Sequence, residues 1–233
     1  MRKTDVWYFP GAFFVIACVL NLIGWIWAPA LADAVKPALL PLLSVTTLTY
    51  LLGRDHYDDD GGAIAFLLMA QLFGCAGDIL LIRDGFQFFL GGMAAFLIGH
   101  IFYMCLFGGL SWRGLSVWIW AIAVVLMAAA ELGLIRVLGV SGDLLVPMVI
   151  YGFVLMLLIF SALAGVIRMP KGRRGAWWIL LLGALLFTFS DSCIAMDLFG
   201  VMSFPLHSFV VMLTYLAAQV LLAVGSVRLI LGK

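Results

Sequence analysis

Asp78 and Asp191 each stand inside a long apolar stretch. An ionisable side chain is costly there and signals function by default. Lys36, His100, Tyr103, Tyr151, Tyr215 and Gln219 also fall in apolar runs. Two carboxyl groups brought together in a low-dielectric site cannot both stay ionised, so one is expected to be a neutral acid. A nearby cation such as Lys36 would hold the other charged. One group can then donate a proton while the other accepts one or steadies a cation, which is general acid–base chemistry. The same pair would equally serve a proton-coupled transporter or flippase of a lipid or small solute. A non-catalytic scaffold locked by these groups is the third possibility. The chain has no Gly-x-Ser-x-Gly and no His-Glu-x-x-His, and its three histidines are too few for a three-histidine metal site with anything to spare. Serine and zinc hydrolysis are therefore weakly supported, and neither a metal nor a cofactor is expected.

The elements that must position these residues follow from composition. Of 233 residues, 66% are hydrophobic and 11% charged, against about half and a quarter in soluble domains. This excludes a soluble globular protein, a nucleic-acid binder and a disordered chain. A helical span takes roughly 20 apolar residues. Breaking the sequence at charge and Gly/Pro clusters gives eight: about 10–28, 35–53, 62–82, 86–107, 115–135, 144–167, 176–199 and 208–231. The runs are too long for strands and lack period-2 alternation. The expected fold is thus an all-α, multi-pass integral membrane protein of eight transmembrane helices, one domain over 1–233. Met1-Arg2-Lys3 and Ala30-Leu31-Ala32 resemble the ends of a signal peptide, but the first apolar run is longer than a usual signal core. It is read as a span.

Charge sets the expected orientation. With the N-terminus inside, the inner segments hold Arg2, Lys3, Arg54, Arg113, Arg168, Lys171, Arg173, Arg174, Arg228 and Lys233, and the outer ones only Lys36, Arg83 and Arg136. Ten of 13 basic residues inside places both termini in the cytoplasm, in the inner membrane if the cell is bacterial. The run Arg168 to Arg174 reads as a topology signal. The acidic loop Asp55 to Gly62 lacks the alternating spacing of a calcium site. Cys18, Cys75, Cys105 and Cys193 read as small buried apolar residues. Tyr8, Trp25, Trp27, Trp118, Trp120, Trp177 and Trp178 read as interfacial belt residues.

Depth groups the polar set. Asp78, Asp191, Tyr151, Tyr215 and Gln219 all fall in the outer halves of their spans, with His100 nearer mid-span and Lys36 opening the second span. One polar cavity facing outward accounts for them together, whereas Glu131 and Asp197 read as interfacial and solvated. Pro37 and Pro147, Asp78 and Asp191, and Tyr103 and Tyr215 recur 110, 113 and 112 residues apart. This suggests two parallel four-helix halves, about 10–110 and 115–231.

Several short motifs also occur in a characteristic order. Lys36-Pro37 is followed by Gly77-Asp78-Ile79-Leu80-Leu81, then Phe96, His100 and Tyr103, then Pro147 and Tyr151. Leu185-Leu186-Phe187 leads into Ser190-Asp191, and Tyr215 with Gln219 closes the series. Over about residues 10–231 this resembles the YhhN family of eight-span membrane proteins. The resemblance implies a lysoplasmalogenase, which cleaves the vinyl ether of a lysoplasmalogen to a fatty aldehyde and a glycerophospho-ethanolamine or -choline. It implies Lys36, Asp78 and Asp191 as site residues. Asp78, nearer the outer surface, is expected to meet water and stay ionised. Asp191 is expected to be the neutral acid, and Lys36 at the mouth to bind the lipid phosphate. His100, Tyr103, Tyr151, Tyr215 and Gln219 would line the substrate site. The expected partners are a lysophospholipid substrate and membrane lipids; neither nucleic acid nor an obligate protein partner is inferred.

Overall fold

The computed structural model describes residues 6–54 and 61–232. Most of the acidic loop at 55–60, together with Arg2, Lys3 and Lys233, lies outside the described residues. Those described form eight helices long and apolar enough to cross a membrane. They are α1 (Tyr8–Trp27), α2 (Pro29–Leu52), α3 (Gly61–Leu81), α4 (Phe86–Trp112), α5 (Val117–Leu138), α6 (Leu145–Arg168), α7 (Arg174–Leu198) and α8 (His207–Ile230). Single 3-10 turns at Gly142–Leu144 and Lys171–Arg173 lead into α6 and α7. Eight crossings leave both termini at one end of the bundle. The other end is called distal below.

Two helix ends differ from the sequence expectation, and both differences deepen a charged residue. Only Ala28 separates α1 from α2. Pro29 opens α2 at a first-turn position, where its missing N–H has no intrahelical partner to lose. Lys36 therefore sits seven residues inside α2, roughly 10 Å along the axis, rather than at its mouth. At its distal end α5 continues to Leu138, where Gly139 at φ 65° supplies the left-handed stop. Glu131 is thus a full turn deeper than a span ending near 135 implies.

Helices adjacent in sequence pack together, except that α4 passes α5 to pack on α6; α5 rests chiefly on α6, and α8 touches α1, α2, α3, α4 and α7. The seams carry hydrogen bonds as well as apolar contact. Asn21 Nδ2 donates to Ala32 O at 2.9 Å, Trp112 Nε1 to Ser161 Oγ at 2.9 Å, and Ser190 Oγ to Val211 O at 2.9 Å. Large apolar side chains such as Phe13, Ile122, Val125 and Val146 face outward, as expected where the solvent is lipid rather than water. Trp177 is not a belt residue. It is buried against Phe107, with ring centroids 5.9 Å apart, and its indole lies over Gly165.

Pro37 and Pro41 lie inside α2. Pro41 lacks the N–H that would bond Pro37 O, as a helix-interior proline must. The Cys75 thiol of α3 donates to that freed carbonyl at 3.6 Å. This bond ties α2 to α3 within one turn of Lys36 and of Asp78.

Candidate functional site

The first polar cluster is built where α2, α3 and α8 meet near the distal end. Asp78 is 2% exposed. Its Oδ1 lies 3.6 Å from Lys36 Nζ, and its Oδ2 accepts the Tyr215 hydroxyl at 2.7 Å. A carboxylate this deep must be paired and hydrogen-bonded, and both requirements are met. Gln219, one turn after Tyr215, accepts the Tyr103 hydroxyl at 3.4 Å, which brings α4 into the cluster. Gly77 decides what covers it. A methyl group there would fall 2.7 Å from Phe96 Cε2, so only glycine lets the Phe96 ring lie beside Asp78.

The second cluster joins α5, α6 and α7. Tyr151 donates its hydroxyl to Asp191 Oδ2. Asp191 is half-buried and opens, with Tyr151, onto a small cavity of about 70 Å³. The walls are mostly apolar, from Phe89, Met93 and Phe96 of α4, Leu134 of α5 and Met148 and Leu155 of α6. The third polar lining residue with an ionisable side chain is Glu131. At 6% exposure it is not interfacial. Asp197, by contrast, is exposed as expected.

An aromatic wall stands between the clusters. His100 packs edge-on to Phe187 at 4.4 Å and to Tyr151 at 6.1 Å. Phe187 meets Tyr215 at 5.6 Å, and Phe96 meets both Phe187 and Tyr215 at 5.9 Å. Phe96 faces the cavity on one side and Tyr215 on the other.

The structure therefore divides the sequence-derived set. Asp191 and Tyr151 line the cavity. Asp78, Lys36, Tyr103, His100, Tyr215 and Gln219 are not among its lining residues. The expectation that Asp78 is the carboxyl group meeting water is reversed. The longer α2 brings Lys36 down to Asp78 and closes the pair off, while Asp191 is the more exposed of the two. Lys36 is likewise not a free charge at a mouth, because its ammonium faces Asp78. The partners do not follow the repeat either: 112 residues before Tyr151 stands Leu39, which cannot bond a carboxylate. Sequence reasoning missed Glu131 as a cavity residue because the predicted end of its span fell too early. Among the described residues, no group of three or more His, Cys, Asp or Glu is arranged to hold a metal ion.

These features define a helical membrane protein with one buried ion pair and one accessible carboxyl site on an apolar cavity. The chain belongs to the YhhN family, whose model matches residues 31–226. It is similar to the curated lysoplasmalogenase TMEM86B of Homo sapiens, 29% identical over 97% of this chain and 90% of that protein. The Mus musculus protein of the same name is 30% identical over 92% and 85%, and lysoplasmalogenase TMEM86A of Bos taurus is 27% identical over 93% and 87%. No solved structure matches significantly.

Proposed function

We propose that this chain is a membrane-embedded hydrolase that cleaves the vinyl ether bond of a lysoplasmalogen, yielding a fatty aldehyde and a glycerophospho-ethanolamine or -choline. The similarity to proteins named lysoplasmalogenase over more than nine-tenths of the chain supports the substrate. The observation that carries the chemistry is the position of Asp191, a carboxyl group held by Tyr151 and open to an apolar cavity. The cavity is lined by α4, α5, α6 and α7 and borders the seam between α4 and α5, helices that touch through Trp112 and Trp120 near the other end of the bundle. An alkenyl chain in the bilayer would enter sideways between them.

A vinyl ether is hydrolysed by protonation at carbon. The Asp191 carboxyl proton passes to C2 of the alkenyl chain, and the alkene electron pair forms the new C–H bond. C1 and the ether oxygen then share an oxocarbenium charge. Water adds to C1, and the resulting hemiacetal breaks its bond to the glycerol oxygen. The logic parallels that of carboxyl-catalysed glycoside cleavage. Asp78, paired with Lys36 and hydrogen-bonded by Tyr215, braces the far side of the Phe96 wall. Purified protein would be given 1-alkenyl and 1-acyl lysophospholipids in water enriched in oxygen-18. The expected result is aldehyde from the alkenyl lipid, a glycerol hydroxyl free of label, and no fatty acid from the acyl lipid. Fatty acid released at a comparable rate would make the protein an esterase. Lipid carried across the bilayer without aldehyde would make it a transporter.

A further inference from the structure

The geometry points to Glu131 as a second catalytic carboxyl group of the Asp191 cavity, the one that binds the attacking water and takes its proton. This rests on the hydrolase reading above.

Three observations carry it. Glu131 of α5 and Asp191 of α7 line one cavity together with Tyr151 of α6. Glu131 is 6% exposed, yet its Oε2 has no hydrogen-bond partner. A buried acceptor without a donor is rare and calls for an explanation, and a water molecule bridging it to other polar groups of the cavity, here Tyr151 and Asp191, is the usual one. Finally, the chain makes room for this carboxyl group. The Glu131 side chain lies across the backbone of α6 at Gly152, where a methyl group would fall 2.7 Å from Glu131 Cδ. A glycine beside Tyr151 thus lets the Glu131 and Tyr151 side chains share the cavity.

The proton account closes with both groups. Asp191 gives its proton to C2 and becomes a carboxylate. Water then bonds to C1 as Glu131 takes one of its protons. In the collapse, the C1–O bond to glycerol breaks and the departing oxygen takes that proton back from Glu131. Asp191 regains a proton from the hemiacetal hydroxyl as the aldehyde carbonyl forms. Both residues end as they began, and the net change is one water consumed. A positively charged intermediate between two carboxyl groups also suits their placement in an apolar cavity.

The test compares wild type, Glu131→Gln, Glu131→Ala and Gly152→Ala in phospholipid nanodiscs, with aldehyde release from 1-alkenyl lysophosphatidylethanolamine as the readout. General acid–base groups contribute about 10²- to 10⁴-fold, so Glu131→Gln should lower kcat at least about 100-fold while KM stays within about threefold. Glu131→Ala should recover at least about tenfold in added formate, which can occupy the vacated space and accept the proton. Gly152→Ala keeps the carboxyl group but displaces it, and should lose kcat likewise. This variant also decides the matter if Glu131→Gln does not fold, since the displaced atoms are the tip of a flexible side chain. Wild-type aldehyde production with near-normal kcat in Glu131→Gln, or loss in Glu131→Ala that formate leaves untouched, would overturn the role of Glu131 alone. No aldehyde from the wild type would overturn the hydrolase reading and this inference with it.

Discussion

Replacing Lys36 with methionine removes the only cation, among the described residues, within salt-bridge distance of Asp78, with little change in side-chain volume. The pair is 3.6 Å apart, and the two side chains are 11% and 3% exposed. At an effective dielectric constant near 20, that separation corresponds to about 4–5 kcal/mol. Removing one member of a buried pair costs about 3–5 kcal/mol, because the other is left uncompensated. The Tyr215 hydroxyl still donates to Asp78, which puts the expected loss near the lower end, about 3 kcal/mol. For a chain of this size that lowers Tm by roughly 6–12 °C. Tryptophan fluorescence during heating in nanodiscs would measure it. Adding Asp78→Asn should restore most of the lost stability, since asparagine carries no charge and can still accept from Tyr215; the double-mutant cycle isolates the pair. A Lys36 that served as a free grip on the lipid phosphate would behave differently, raising KM with Tm unchanged. A Tm within about 2 °C of wild type, less than 1 kcal/mol of effect, would refute the buried-pair reasoning. So would a double variant no more stable than Lys36→Met alone.

Tyr151→Phe deletes the hydrogen bond to Asp191. As Asp191 gives up its proton this becomes a bond to a charged group, worth about 1.5–3 kcal/mol, so steady-state aldehyde assays should show kcat down roughly 10- to 100-fold, and an unchanged kcat would remove Tyr151 from the site. Gly77→Ala forces the Phe96 ring away from Asp78, and thermal unfolding should register an overpacking loss of about 1–3 kcal/mol. Cysteines introduced as Gly172→Cys and Phe204→Cys test orientation in cells. An impermeant thiol reagent should label position 204 and spare 172, and the reverse would invert the proposed topology. A strong chelator should leave aldehyde release unchanged, because the proposed proton transfers use carboxyl groups of the chain itself.

Most of the architecture was legible because hydropathy sets the spans directly: a run of apolar residues has few alternatives to a membrane helix. The ends were less legible because charge and proline were read as flanks. Asp33 and Lys36 lie inside α2, and Pro29 begins it rather than ending a loop. Both errors had consequences at the site. The short reading of α2 put Lys36 at a mouth, and the short reading of α5 put Glu131 in the headgroups. Depth along the sequence put Asp78, Asp191, Tyr151, Tyr215 and Gln219 in the outer halves of their spans and read them as one cavity. It could not give azimuth, the direction in which each side chain leaves its helix. Azimuth is what separates the Asp78 pair from the Asp191 cavity, and it depends on contacts such as Phe96 on Gly77 that no periodicity encodes. Trp177 failed for a related reason, since its burial depends on Gly165 of another helix.

The most direct test of the account is aldehyde release by Asp191→Asn, prepared in nanodiscs beside wild type and supplied with the same 1-alkenyl lysophospholipid. The variant is nearly isosteric and keeps an acceptor for Tyr151, so its Tm should stay close to wild type. The account predicts that aldehyde release falls to background because no proton reaches the alkenyl carbon. Release from a folded Asp191→Asn protein at the wild-type rate would contradict it.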